Sequence, residues 1–370
     1  MDAHNRGVEY VNQGIRALPG GGPATRVDAS AHRLQWNENP FDYPADLKEE
    51  VLQRLANAQW SRYPLGFRAY DLMAALAAHW SVTPEMVVVG HGSSDVIRLV
   101  CAAVLRAGDH VVMPSPTFLL YKRNAHIQDA VVHEVALSPD DDFALPVDDL
   151  IVCARTNQAK LVVICAPNNP TGTVYAQADL RRVVEESGAL VLIDEAYAEF
   201  CSQNLRPLLD EYDNLVLVRT FSKAYSMAGV RVGYGLAAPG LAAELQKLVN
   251  VFTLSPFSET TAIVALDHHA RFMDNVRKVV AERERIAVGL AALPGVRVFP
   301  SGANFLLVCP EQPAREIHDY LLREHRLLIS DMGMNPELRN YLRISVGTPE
   351  QNDLLLAGFA GFVHGQSLAS

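Results

Sequence analysis

The 370-residue chain lacks the features that would tie it to a membrane, a secretory route or nucleic acid. No apolar run reaches the ~20 residues that a membrane-spanning helix needs. The first eleven residues carry charges and have no apolar core, so they do not resemble a secretory signal. The formal net charge of −10 is unfavourable for binding the phosphates of nucleic acid. These absences predict a cytoplasmic protein that binds neither membranes nor nucleic acid.

Closely spaced cysteine pairs and common nucleotide-binding loops are also missing. Neither a G-x-x-x-x-G-K-[ST] loop nor a G-x-G-x-x-G loop opens the first strand and helix, which argues against a nucleotide-binding protein. The pair His268-His269 and the acidic run 140–142 have no further ligands at metal-site spacing, so no metal is expected. The scattered cysteines suit reduced thiols better than a disulfide framework; they are Cys101, Cys153, Cys165, Cys201 and Cys309.

Two thirds of the sequence alternates short β-branched runs with helical patterns. This order is typical of an α/β fold with a mostly parallel sheet and helices on both faces. Seven runs predict the strands of that sheet: 87–89, 110–113, 131–135, 161–166, 190–194, 215–219 and 233–237. After about residue 258, a long helical pattern at 259–292 leads into strands near 296–299, 304–308 and 341–346. At this length we expect two packed domains, a large one (45–258) and a small α+β one (259–370). The Gly- and Pro-rich composition before residue 44 predicts an extended N-terminal arm (1–44) that packs with the small domain.

Four short motifs follow predicted strands, where an open α/β sheet places its ligands. The first, GHGSSD at 90–95, has small residues before a helix and suits anion binding by backbone amides. An ordinary helix-capping turn explains it equally well. The second, PNNPTG at 167–172, holds a side-chain amide near the crevice, although a plain turn is an equal alternative.

The other two motifs carry charges. The third, at 192–197, ends an apolar strand with Asp194 and Glu195, and a buried carboxylate requires a cation or hydrogen-bond donors. The fourth, TFSK at 220–223, places Lys223 directly after a strand and among hydroxyl groups. A lone lysine is most often a surface charge, so it is the joint occurrence of the four motifs that indicates a site.

Together the motifs resemble those of the fold-type I pyridoxal-phosphate aminotransferases over nearly the whole chain. The resemblance implies pyridoxal 5'-phosphate as the cofactor and transfer of an amino group between an amino compound and a 2-oxo acid. It makes Lys223 the residue that holds the cofactor covalently and moves the proton, and Asp194 the partner of the pyridine nitrogen. Tyr197 and Asn169 would bind the phenolic oxygen of the ring, and Phe118 would stack on its face.

The same resemblance implies residues for the cofactor phosphate and for the substrate. Tyr63, within RYP at 62–64, would reach the phosphate of a neighbouring subunit, which implies a homodimer. Arg343 would bind the acid group of the substrate, and Asn37, within NENP at 37–40, would line the substrate site. The phosphate itself would be held by Ser93, Ser94, Asp95, Thr220, Ser222 and Arg231.

Within that family the motifs are most similar to those of histidinol-phosphate aminotransferases. These enzymes exchange an amino group between histidinol phosphate and glutamate, and the corresponding oxo compounds are imidazole acetol phosphate and 2-oxoglutarate. Two positions depart from their pattern. Ala17 stands where members carry a tyrosine before a Pro-Gly pair, and Ser330 stands where they carry a second basic residue. Loss of a charged contact to a phosphate weakens binding by roughly 1.5–3 kcal/mol.

Other activities of the same fold therefore stay open. They are an aminotransferase for an aromatic or other amino acid, one serving a secondary-metabolite pathway, and a decarboxylase such as threonine-phosphate decarboxylase. A non-enzymatic regulator is less favoured, because such chains append a DNA-binding domain, for which the segment before residue 37 leaves no room.

Overall fold

The computed structural model describes residues 3–18 and 30–367 and contains three β-sheets. In chain order the strands are β1 (His32–Arg33), β2 (Val87–Gly90), β3 (His110–Ser115), β4 (Val131–Ala136), β5 (Leu161–Cys165), β6 (Leu190–Asp194), β7 (Leu215–Thr220), β8 (Gly233–Ala237), β9 (Val296–Val298), β10 (Phe305–Pro310), β11 (Leu327–Leu328), β12 (Ser330–Asp331) and β13 (Leu342–Ser345). The α-helices are α1 (Gln13–Ala17), α2 (Ala45–Leu55), α3 (Tyr70–Trp80), α4 (Ser93–Val104), α5 (Leu119–Ile127), α6 (Val147–Thr156), α7 (Gln177–Glu186), α8 (Pro239–Gln246), α9 (Pro256–Asp267), α10 (His269–Ala291), α11 (Ala314–His325) and α12 (Pro349–Ser367).

The largest sheet has seven strands in the order β2-β8-β7-β6-β5-β3-β4. β8 pairs antiparallel with both β2 and β7, and the remaining neighbours pair in parallel. The carboxyl ends of β5, β6 and β7 therefore meet at one edge of the sheet. The prediction of a mostly parallel seven-stranded sheet is confirmed, and each of the seven predicted strands is present.

The sheet is buried on both faces. Val87 and Val89 belong to one hydrophobic cluster, whereas Val88 between them belongs to another that includes residues of α4 and α5. Val162 and Val163 divide in the same way. Successive side chains of a strand point to opposite faces, so both faces are covered and the strands are apolar throughout.

A second sheet of four antiparallel strands has the order β12-β13-β10-β9. Three of these strands correspond to predicted ones, and the two-residue strand β12 was not predicted. The remaining sheet pairs β1 in parallel with β11. The N-terminal segment is thereby joined to the C-terminal part of the chain, beside the site described below.

Two predictions of local structure were wrong. The pattern at 259–292 forms two helices, because His268 leaves the helical conformation (φ −110°, ψ 27°) and its ring bonds Glu50 of α2 at 3.0 Å. Part of the arm is helical and not extended, since Ala3–Tyr10 is a 3-10 helix and α1 packs on α5 through Gly14. The Gly- and Pro-rich residues 19–29 lie outside the described residues.

No helix within 3–18 and 30–367 combines the length and the apolar character needed to cross a bilayer. Over the same residues, no group of three His, Cys, Asp or Glu side chains could hold a metal ion. The division of the chain into domains at residues 44 and 258 stays a prediction.

Candidate active site

An anion-binding cradle lies where β2 leads into α4. Gly92 precedes α4 with φ +82° and has no side chain that could cap the first amides of the helix. A Cβ atom on Gly92 would lie 2.5 Å from Nη2 of Arg231, and one on Gly233 would lie 2.1 Å from the backbone nitrogen of Ser93. The two glycines therefore let a guanidinium group approach the amides of a helix N-terminus, which favours a bound phosphate.

Arg231 enters this cradle from the loop between β7 and β8. Its Nη1 donates to Ser222 Oγ at 3.3 Å and to the backbone oxygen of Ala228 at 3.0 Å. Thr220 Oγ1 donates to Ser222 Oγ at 2.9 Å, which fixes that hydroxyl against the guanidinium group. No carboxylate of the described residues pairs with Arg231, so its charge is available to a bound anion.

The three residues predicted at 93–95 lie in different situations. Ser93 and Ser94 are the first two residues of α4 and are partly buried beside the cradle. The carboxylate of Asp95 accepts hydrogen bonds from the backbone nitrogen of His91 at 3.1 Å and from Arg98 at 2.8 Å. Asp95 thus stabilises the turn that shapes the cradle, and its contact with a phosphate stays a prediction.

Asp194 ends β6 and is 2% exposed. Its Oδ1 accepts from the backbone nitrogen of Ala196 at 3.0 Å, and its Oδ2 accepts from the hydroxyl of Tyr121 at 2.7 Å. Burial raises the pKa of Asp194 to about 6, against the hydrogen bonds from Tyr121 and Ala196, which lower it. This carboxyl group is therefore poised to hold or share a proton near neutral pH.

Lys223 is the third residue after the end of β7, and its side chain is partly buried. Its Nζ donates to the backbone oxygen of Trp36 at 2.9 Å and lies 5.8 Å from the ring centroid of Tyr197. Burial, followed by the charge of Arg343, lowers the pKa of Lys223 to about 8. Roughly a tenth of the amine is then neutral at pH 7, which makes it a competent nucleophile and base.

The hydroxyl of Tyr197 accepts hydrogen bonds from two side-chain amides. It accepts from Asn37 Nδ2 at 3.0 Å and from Asn169 Nδ2 at 3.2 Å. Asn37 is held in place with φ 53°, because Ser345 Oγ bonds both its backbone nitrogen and its side-chain oxygen. Burial raises the pKa of Tyr197. Tyr197 is therefore protonated, with its own hydrogen free for a ligand oxygen.

Arg343, on β13, faces the same residues from the smaller sheet. Its Nη1 donates to Asn169 Oδ1 at 2.7 Å, and its Nη2 donates to the backbone oxygen of Gln35 at 2.6 Å and to Ser330 Oγ at 3.3 Å. Its Nε is buried without a hydrogen-bond partner among the described residues. A buried donor that lacks a partner is costly, so this atom marks a place for an acidic ligand group.

Two predicted residues lie apart from this set of contacts. Phe118 immediately precedes α5 and meets the ring of Tyr121 edge-on, with centroids 5.6 Å apart. Tyr63 is 77% exposed, and its ring stacks on Phe252 at 4.4 Å. Stacking of Phe118 on a cofactor, and the reach of Tyr63 to a neighbouring subunit, stay predictions.

Sequence reasoning missed three residues that organise the site. Asn39 Nδ2 donates to the backbone oxygens of Lys223 and Ala224, at 3.0 and 3.3 Å, and Asn304 Nδ2 donates to the backbone oxygen of Asn37 at 3.0 Å. The NENP motif pointed to Asn39, although not to its partner. No sequence signal indicates that Tyr121 reaches β6.

Comparison with known proteins agrees with this geometry. The family model described as "Aminotransferase class I and II" matches residues 32–359. Histidinol-phosphate aminotransferase of Chlorobaculum tepidum is 37% identical over 88% of this chain and 92% of its own length. Histidinol-phosphate aminotransferase 3 of Mesorhizobium japonicum is 37% identical over 94% of this chain and 92% of its own.

A solved structure is similar over nearly the whole chain. Histidinol-phosphate aminotransferase of Sinorhizobium meliloti, in complex with pyridoxal-5'-phosphate, has a TM-score of 0.86 and 26% identity, covering 96% of this chain and 98% of its own. Both the sequence relatives and this structure extend over the two sheets that form the site. The chain therefore belongs to the class I and II aminotransferase family.

Proposed function

We propose that the chain is a cytoplasmic enzyme that holds pyridoxal 5'-phosphate through Lys223 and transfers amino groups. The residues present fit each part of that cofactor. The cradle at Gly92 and Arg231 suits the phosphate, and the buried carboxyl group of Asp194, whose pKa burial raises to about 6, suits the ring nitrogen, with which it can share a proton. The free hydrogen of Tyr197 suits the phenolic oxygen.

When bound, the cofactor supplies an aldehyde that exchanges amines and a ring that accepts electrons from a breaking bond. The chain's own residues supply the rest. Lys223 Nζ, with its pKa lowered to about 8, takes a proton from the substrate and returns it. Arg343 orients the substrate by its acid group, and the burial of Tyr197 and Asp194 excludes water from the reacting face.

The observation that carries the proposal is the convergence of charges on one amine. Burial lowers the pKa of Lys223 most, the charges of Arg343 and Arg231 lower it further, and those of Glu38 and Asp194 raise it. These groups come from β13, the β7–β8 loop, the NENP segment and β6. An isolated surface lysine would have no such surroundings.

Borohydride reduction of the purified protein, followed by digestion, tests this assignment. We expect a pyridoxyl mass on the peptide that contains Lys223. The Lys223→Ala variant, treated in the same way, is the control and should carry none. A pyridoxyl group on another lysine, or none on the wild-type protein, would contradict the proposal.

We further propose histidinol phosphate as amino donor and 2-oxoglutarate as acceptor. The support is that relatives named histidinol-phosphate aminotransferase are 34–37% identical over 88% of this chain. The absorbance change from the aldehyde to the amine form of the cofactor, followed with histidinol phosphate, phenylalanine and glutamate separately, measures the preference. A faster change with histidinol phosphate than with phenylalanine is the expected result.

Ser330 supports a second candidate, an aromatic amino acid as donor. Its hydroxyl donates to the backbone oxygen of Gln35 at 2.9 Å and accepts from Arg343, so position 330 supplies no second positive charge beside that arginine. One guanidinium group satisfies a carboxylate, whereas a phosphate dianion gains from two cations. A faster absorbance change with phenylalanine, together with improved use of histidinol phosphate in Ser330→Arg, would favour this candidate.

We also propose that the active unit is a homodimer. The segment around Tyr63 exposes several aromatic side chains: Trp60 is 92% exposed, and the rings of Tyr63 and Phe67 both contact Phe252. Large aromatic side chains grouped in this way are typical of protein interfaces. A partner subunit covering this surface would bring Tyr63 to the partner's phosphate cradle.

Mixing two impaired variants tests both the dimer and the role of Tyr63. A hybrid of Lys223→Ala and Tyr63→Phe subunits has one site with both defects and one site with neither. Random mixing makes half of the dimers hybrids, and each hybrid has one intact site out of two if Tyr63 serves the partner's site. The mixture should then show about a quarter of wild-type activity. If Tyr63 serves its own site or none, the mixture shows only the average of the two variants. Light scattering gives the oligomeric state independently.

A further inference from the structure

Tyr121 is the only described side chain that donates a hydrogen bond to Asp194. It lies on α5 and is fully buried in the hydrophobic cluster between that helix and the sheet. The 2.7 Å distance between its hydroxyl and Oδ2 is typical of a bond to a charged oxygen. None of the sequence motifs includes this tyrosine.

The surroundings of Asp194 otherwise disfavour its ionised form. Burial and the neighbouring charge of Glu195 both act against a negative charge there. The thiol of Cys165, on the adjacent strand β5, is also buried and offers no positive charge. The opposing influences are the Tyr121 hydroxyl, the Ala196 amide and the charge of Lys223.

We propose that Tyr121 is a positioning residue that keeps Asp194 ionised, so that a proton shared with the cofactor's ring nitrogen stays on the nitrogen. The inference rests on the proposed function for the identity of that ring. Tyr121 itself stays protonated, because burial raises its pKa well above the usual range. Without its hydroxyl, the more basic carboxylate would draw the shared proton to itself, and the ring would accept electrons less readily.

The chain offers a matched control. Tyr175 is likewise fully buried, and its hydroxyl has no hydrogen-bond partner among the described residues. Tyr121→Phe and Tyr175→Phe therefore remove the same group from the protein interior. Each retains the ring and its packing, and only the first removes a bond to Asp194.

Titration of the Asp194 carboxyl carbon in the full-length apoprotein by 13C NMR tests the proposal without the cofactor. The Asp194→Asn variant identifies the resonance by its absence. We expect Tyr121→Phe to raise the proton affinity of Asp194 roughly tenfold or more and Tyr175→Phe to leave it unchanged. Equal titration in wild type and Tyr121→Phe would overturn the proposal, as would an equal shift in both variants.

Binding of two cofactor forms extends the test. Pyridoxal 5'-phosphate has the ring nitrogen, and its 1-deaza analogue carries a carbon there. Tyr121→Phe should weaken binding of the first roughly tenfold and leave binding of the second unchanged. Equal losses for both would show that Tyr121 acts through packing alone and overturn the proposal. If the wild-type protein binds neither form, the proposed function fails, and the apoprotein titration still decides the role of Tyr121.

Discussion

The two sides of the site differ in how their residues are brought together. On the side of the large sheet, Asp194, Thr220 and Lys223 stand at or just after the ends of adjacent strands. On the opposite side, Arg343 contacts the backbone of Gln35, 308 residues away in the chain. The first side follows from local strand and loop sequence. The second side is formed only by the packing of the NENP segment against the smaller sheet in the folded chain.

This difference matches the different functions that we propose for the two sides. The large-sheet side presents groups suited to one invariant ligand, the proposed cofactor, and three of them, Thr220, Ser222 and Arg231, are joined to one another by short-range contacts. The opposite side presents groups suited to a variable ligand, the substrate, and contains Ser330, which departs from the histidinol-phosphate pattern. We therefore expect substitutions on the large-sheet side to affect cofactor binding and catalysis, and substitutions on the opposite side to affect the choice of substrate.

The largest expected effect is that of Lys223→Ala on the large-sheet side. Removal of the nucleophile and base should lower kcat by about 10⁴-fold, while the free energy of unfolding changes by less than about 1 kcal/mol. Lys247→Ala, which removes an exposed lysine paired with Glu244, is the control and should retain full activity. Turnover by Lys223→Ala within tenfold of wild type would contradict the assignment.

The next largest effect is expected from Gly92→Ala in the cradle. The added Cβ would lie 2.5 Å from Arg231 and displace the guanidinium group, which should weaken cofactor binding about 100-fold through lost charged contacts. Gly108→Ala is the matched control, because Gly108 also has φ +82° and has open space around it. Both variants should lose stability through backbone strain. Equal cofactor affinity in both would show that the cradle is not the phosphate site.

On the opposite side, Arg343→Gln should raise KM for the acidic substrate about 10- to 100-fold. The dissociation constant of the cofactor should change much less than KM, since Arg343 acts on the proposed cofactor residues only through Asn169 and through its charge on Lys223. Arg297→Gln, on the neighbouring part of the smaller sheet, removes an exposed arginine paired with Asp142 and serves as control. A loss of cofactor affinity in Arg343→Gln as large as the increase in KM would show that the two sides do not act separately.

The smallest effect concerns pH. The neutral amine of Lys223 is the reactive form, and its pKa is lowered to about 8. The rate at which pyridoxal 5'-phosphate attaches to the apoprotein should therefore rise roughly tenfold between pH 7 and pH 8.5 and then level off. An ordinary lysine would continue to gain reactivity up to pH 10. Absorbance at each pH measures the rate, and a continued rise would show that Lys223 is not buried among these charges.

The sheet was predictable because its signal is local. A strand buried on both faces must be apolar throughout, and the runs at 161–166 and 190–194 have that composition. The small strands β11 and β12 carry no such signal, because two residues have no periodicity. The split at His268 was missed for a similar reason, since it depends on the contact with Glu50 of another helix.

The candidate site divides in the same way. Asp194 and Lys223 could be placed because each ends or follows an apolar strand in a short motif. Tyr121 and Asn304 could not, because their partners Asp194 and Asn37 lie on distant segments. Nothing in the residues around position 121 distinguishes a tyrosine that bonds a carboxylate from one that only fills the core.

The amino-acid sequence by itself determined the order of strands and helices and the polar groups that follow each strand, because both depend on residues close together in the chain. Only the tertiary structure decided which of those groups share a crevice, which protons are stabilised there and which donors are left unpaired. The physical reason is that burial and charge act through space. The pKa of Lys223 reflects its burial first and then the charges of Arg343 and Glu38, which approach it only in the folded chain.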